Sequence, residues 1–254
     1  MYTDAHTHLT GPVFGDLMTP AEIETVLQQA REAGVAFVVA SGQDLARSIR
    51  VAEIAEEHDM VYAAIGLHPW IAVPIDDALF QGFLELAEKP KVVAIGEIGL
   101  DEYRSQAEKE VQIAALVRQL ELAREADLPV FLHERGYHDE MLEVISRHPP
   151  GRAVMHGFRG SQEELKQWLA FGFYFTIGRT VLEPDGHKLA PMVAQIPDDR
   201  LLLETDGVDI IESATILGQE RVVELARVVG QWRKTSGEAI GELTTGNLKN
   251  LLGI

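Results

Sequence analysis

A chain of 254 residues is long enough to bury one large core, and barrels of parallel strands and helices reach this size undivided. Forty acidic residues against 22 basic ones leave a formal charge of −18, which argues against broad nucleic-acid binding through a basic face but not against a local cleft that holds metal cations. The absence of any apolar run near 18 residues, of a basic-then-apolar leader and of cysteine points to a cytoplasmic protein without membrane spans, disulfides or thiolate metal sites.

Apolar, β-branched runs alternate with helical patterns along the whole chain. Tyr2 to His6 reads as the opening strand. Thr19-Pro20 then supplies an N-cap and first helical residue, and the helix continues from Ala21 to Ala33, where Gly34 stops it. Val35 to Ala40 is a buried strand, Asp44 to His58 an amphipathic helix, and Val61 to Gly66 a strand that leads into a loop at His68-Pro69. Asp76 to Glu88 is helical, Val92 to Ile95 is a strand closing on Gly96-Glu97, and Gln106 to Ala126 is a long helix. Val130 to Leu132 is a strand with His133 at its end.

The alternation persists in the second half. Tyr137 to Arg147 is helix, and Ala153 to Met155 is a strand followed directly by His156. Ser161 caps a helix to Ala170, and Phe173 to Ile177 is a strand. His187 to Gln195 is a shorter helix interrupted by Pro191. Leu201 to Leu203 is a strand leading to Glu204-Thr205-Asp206, with helices over Glu220 to Lys234 and Thr245 to Leu252 beyond it. Eight short apolar strands, each followed by helix, predict parallel pairing with both faces covered and hence a single-domain (β/α)8 TIM barrel over residues 1–254. An open doubly wound sheet is the alternative, but no glycine-rich phosphate loop follows the first strand.

In such a barrel the chemistry gathers at the C-terminal strand ends. His6, His8, Glu97, His133, His156 and Asp206 all fall there, and His6 and His8 project from one face of an extended backbone. Four imidazoles and two carboxylates suit two divalent ions, about 3.5–4 Å apart in typical binuclear sites. Glu97 is suited to bridge them, and Asp206 to ligate one ion and accept a proton from the attacking water. The donor set fits Zn, Mn or Fe, with Mg an oxygen-preferring alternative. His68 and Arg135 are candidate substrate contacts, since a guanidinium fork suits phosphate or carboxylate. Asp101 reads as an orienter of a ligand histidine.

Six motifs carry a family resemblance: Asp4-Ala5-His6-Thr7-His8-Leu9, Gly66-Leu67-His68-Pro69, Gly96-Glu97-Ile98-Gly99-Leu100-Asp101, the Leu128 to Arg135 stretch, His156-Gly157-Phe158-Arg159-Gly160 and Glu204-Thr205-Asp206. In this order they resemble the TatD-type DNases, metal-dependent hydrolases of the amidohydrolase superfamily with a TIM-barrel fold. The resemblance implies that His6, His8, Glu97 and Asp206 hold one ion, that Glu97, His133 and His156 hold the other, and that the activity is hydrolysis of DNA phosphodiester bonds. Departures bear on the substrate. The 207–212 stretch is acidic and apolar where the family has proline and basic residues, and Asp101 is followed by Glu102-Tyr103-Arg104 in place of a double aromatic. Two rivals follow: a hydrolase of a small phosphoester, lactone or amide, and a metal-binding module without catalysis. Metal identity, natural substrate and oligomeric state are not legible in the sequence.

Overall fold

The computed structural model describes residues 1–11, 17–207, 209–211 and 215–254. Eight strands form one sheet in chain order, β1 to β8, alternating with helices. The chain divides into two compact units, residues 1–39 with 157–254, and residues 40–156.

The division falls within β2 (Val35–Ser41), and the 40–156 unit holds α2 (Leu45–Glu57), β3 (Val61–Ile65), α3 (Asp77–Ala87), β4 (Val92–Asp101), α4 (Lys109–Glu125), β5 (Val130–Arg135), α5 (His138–Arg147) and β6 (Ala153–Met155). Asp44 and Asp76 cap α2 and α3 by accepting the backbone N–H three residues on, which satisfies donors that the first turn leaves open. Strand β4 outruns the four-residue reading of the sequence and continues through Glu97 to Asp101, buried throughout. Its far half pairs in parallel with β5, in a register that sets Gly99 beside His133 and Asp101 beside Arg135. Glu97 and Asp101, together with Gly96 and Gly99, break the apolar run and hid this extension.

Two buried glutamines on α4 tie the strand-end loops down. Gln119 accepts from the Leu67 N–H at 2.6 Å and donates to its carbonyl at 3.1 Å. Gln112 does the same for Asp101, at 2.8 and 3.1 Å. They lie seven residues apart, two turns on one helix face. Each replaces water for a backbone that carries a candidate site residue, and an unpaired buried amide costs about 1–3 kcal/mol.

The other unit holds β1 (Tyr2–Thr7), α1 (Pro20–Glu32), α6 (Gln162–Ala170), β7 (Tyr174–Ile177), α7 (Ala190–Val193), β8 (Leu201–Leu203), β9 (Asp209–Ile211), β10 (Thr215–Leu217), α8 (Val222–Trp232) and α9 (Gly237–Leu252). Helices α1 and α6 begin with complete capping boxes, Thr19 with Glu22 and Ser161 with Glu164. The 187–195 helix is reduced to a 3-10 turn and the single turn α7, with Pro191 in its first turn. β9 and β10 pair antiparallel where the sequence suggested only a loop. The acidic character assigned to 207–212 concerns side chains outside the described residues. β1 and β8 are joined at their ends, where Asp206 donates its N–H to the His6 carbonyl at 3.0 Å.

Candidate functional site

Each unit carries its own cluster of candidate ligands. In the unit with β1 and β8, His6 and His8 lie edge to face, with Nε2 atoms 3.3 Å apart. Asp206 Oδ1 stands 3.8 Å from His6 Nε2 and 3.6 Å from His8 Nε2. Two nitrogens about 2.0–2.1 Å from one tetrahedral ion lie about 3.3 Å from each other, so the imidazole separation fits a shared cation. Asp206 has φ +61°, a left-handed conformation that Asp and Asn tolerate better than other residues with side chains.

Asp4, to which the sequence reading gave no role beyond its place in the first motif, secures this end. It is fully buried and accepts from the Thr205 hydroxyl at 2.5 Å, from the Thr205 N–H at 2.9 Å and from the His6 N–H at 3.3 Å. Burial pushes its carboxyl up to about 8, against the lowering effect of those hydrogen bonds. The available signal was an acidic residue two positions before His6 in the first motif.

In the 40–156 unit, Glu97 is the hub. It is 2% exposed, and its Oε1 lies 2.6 Å from His133 Nδ1, 3.3 Å from His68 Nε2 and 3.3 Å from His156 Nε2. His68 and His133 also meet edge to face, and His133 stacks on His156. Asp101 faces His133 Nε2 at 2.9 Å, so both ring nitrogens of His133 meet a carboxylate. Burial alone would lower the His133 pKa, but its bonds to Asp101 and Glu97 raise it. Burial would raise Asp101, yet hydrogen bonds from His133, Trp70 and the Arg104 N–H hold its carboxyl well below the usual range. His68 Nδ1 accepts from the Trp70 N–H at 3.1 Å, which turns Nε2 towards Glu97. The structure therefore brings His68 in among the candidate ligands. Arg135 stands at the end of β5 with its guanidinium 5.6 Å from the centre of the Tyr103 ring.

Each cluster joins imidazole nitrogen to carboxylate oxygen, the donor set that suits Zn, Mn or Fe. His68, Glu97 and His133 offer atoms within 4.8 Å of one another, close enough for one ion.

The model of the TatD-related DNase family matches residues 3–253 of this sequence. The chain belongs to that family. It is 32% identical to a protein of Escherichia coli K12 named as the uncharacterized metal-dependent hydrolase YjjV, over 98% of this chain and 95% of that one. It is 31% identical to a protein of Escherichia fergusonii named as the 3′-5′ ssDNA/RNA exonuclease TatD, over 91% of this chain and 93% of that one. The crystal structure of E. coli YjjV, described as a TatD homologue, superposes with a TM-score of 0.88 at 30% identity, covering 100% of this chain and 98% of that one. The fold is thus the (β/α)8 TIM barrel of a metal-dependent hydrolase family, as the strand pattern led one to expect. No helix among the described residues is long and apolar enough to cross a membrane.

Proposed function

We propose that this chain is a cytoplasmic, single-domain hydrolase that uses two divalent ions to cleave phosphodiester bonds in nucleic-acid strands. The observation that carries the reading is Glu97, a buried carboxylate within 2.6–3.3 Å of three imidazoles. A buried carboxylate is costly unless its charge is met, and a cation shared with these imidazoles meets it. His6, His8, Glu97 and Asp206 are assigned to one ion, and Glu97, His133 and His156 to the other, with Glu97 common to both. Bound there, such ions acidify water and neutralise charge that develops on a phosphate.

The chain's own residues set the geometry and move the proton. Asp206 turns Oδ1 towards His6 and His8, and we assign its second oxygen as acceptor of the water's proton. Its side chain is 38% exposed, as a group that exchanges protons with solvent needs to be. Asp101 fixes the His133 ring through Nε2, leaving Nδ1 directed at the Glu97 side. Arg135 supplies a cation for an anionic substrate, and Arg135→Ala should raise KM for it. The cytoplasmic assignment rests on the lack of cysteine.

Purified protein loaded with Mn, Mg or Zn should cleave single-stranded oligonucleotides, and exhaustive chelation should abolish that cleavage. Elemental analysis should approach two ions per chain. Full activity after chelation would overturn the metal reading. A second reading is favoured by the −18 charge, which disfavours a long polyanion: hydrolysis of a small phosphoester, lactone or amide. Turnover of small esters with none of oligonucleotides would establish it instead.

A further inference from the structure

Beside the Glu97 cluster, where the β4–α4 turn meets the end of β5, two guanidiniums lie on two aromatic rings. Arg104 lies 5.2 Å from the centre of the Trp70 ring, and Arg135 lies 5.6 Å from that of Tyr103. Among the described residues neither arginine has an ion-pair partner, in a chain with 40 carboxylate side chains to choose from. Parked on rings, both charges stay available to an incoming anion. Tyr103 is 67% exposed, so core burial does not account for its ring.

The turn is nevertheless held firmly. Asp101 Oδ1 accepts the N–H groups of Tyr103 and Arg104, each at 2.8 Å. Asp101 Oδ2 accepts the indole N–H of Trp70 at 2.6 Å and faces His133 Nε2 at 2.9 Å. One carboxylate thus ties the aromatic–guanidinium group to a candidate metal ligand. Gly136, with φ +71°, leaves the space that the Glu102 side chain and the Tyr103 ring edge occupy; a Cβ there would stand 3.1 Å from that ring.

We propose that Trp70, Tyr103, Arg104 and Arg135 form a single-strand subsite, in which a nucleobase stacks on the outer face of Tyr103 while flanking phosphates meet the Arg104 and Arg135 guanidiniums. The inference rests on the phosphodiesterase reading and adds the chemistry that selects the substrate. An exposed ring flanked by guanidiniums binds any base by its π face, and duplex DNA keeps those faces stacked inside. The subsite therefore selects strandedness and not sequence, and it gives a strongly acidic protein a local foothold for a polyanion.

The test is binding, read by fluorescence anisotropy with manganese in an Asp206→Asn background that slows cleavage. The probes are a labelled single-stranded DNA decamer and a decamer of the same sugar-phosphate backbone without bases. Tyr103→Ala should weaken the normal decamer about 5- to 100-fold, the usual range for loss of one stacked base, and Tyr103→Phe should restore it to within about twofold. The base-free strand should bind the parent and Tyr103→Ala alike, whereas Arg135→Ala should weaken both probes. Equal losses on both strands, no loss on either, or no binding of the normal decamer by the parent would overturn the subsite. Hydrolysis is scored separately on the protein with Asp206 intact. Stacking-dependent binding without any metal-dependent cleavage would sink the nuclease reading and keep the subsite. Cleavage indifferent to Tyr103→Ala would do the reverse.

Discussion

Glu97 and Asp206 are both acidic residues just beyond or within strand ends, yet Glu97 is 2% exposed among three imidazoles and Asp206 is 38% exposed beside two. Around Glu97 the supporting groups are themselves held: Asp101 on His133, the Trp70 N–H on His68, and two buried glutamines on the loops behind them. Around Asp206 the support is backbone, a bond to the His6 carbonyl and a left-handed φ, with Asp4 and Thr205 locked beneath. The difference teaches a division of labour. A carboxylate removed from water interacts strongly with charge and suits permanent retention of a cation. A carboxylate open to solvent can gain and lose a proton during each turnover.

The comparison breaks most sharply at Glu97. Glu97→Gln keeps the shape but removes the charge that three imidazoles surround, so elemental analysis should find one ion per chain or fewer, and activity should fall below detection. Two retained ions would show that Glu97 is not the shared ligand. Asp206→Asn should behave differently, because Asn tolerates the same left-handed backbone and keeps a carbonyl oxygen. Two ions should remain at saturating metal, while the single-turnover rate drops about 10² to 10⁴-fold, the usual loss for a general base. Wild-type turnover in this variant would remove Asp206 from proton transfer.

Asp101→Asn probes the support of the buried cluster alone. Loss of a carboxylate behind a ligand histidine typically costs about 10- to 100-fold in metal affinity or activity, here measured by titration with Mn. An effect below twofold would mean that Glu97 by itself orients His133. The smallest change expected is from Gln119→Ala, which strips the buried Leu67 amide and carbonyl of their partner. Urea unfolding should register a loss of about 1–3 kcal/mol, with bound metal unchanged in amount.

Much of this was legible beforehand because the signals are local. Thr19 and Ser161 announced their helices by capping chemistry that involves residues only three positions away. The histidines and acids stood out as polar residues at the ends of apolar runs. The last helix shows where local reading fails. It was expected from Thr245, yet α9 begins at Gly237, and Gly237, Gly241 and Gly246 lie within it. Glycine lowers helix propensity, so a sequence reading shortens the helix. At Gly241 the reason lies far along the chain, because a Cβ would stand 2.5 Å from the Tyr2 ring of β1. That contact outweighs propensity, and only the folded chain contains it.

The amino-acid sequence by itself determined the alternation of strands and helices, the strand-end ligand types and the family, since each is written in short patterns of residue type. Tertiary structure alone decided that His68 joins Glu97 and His133, that Asp101 links His133 to the turn bearing Tyr103, and that Asp4 locks Thr205. The pairings of His68 with Glu97, of Asp101 with His133 and of Asp4 with Thr205 join residues 29 to 201 positions apart, and which partner satisfies a buried polar group depends on packing distances that no local pattern encodes.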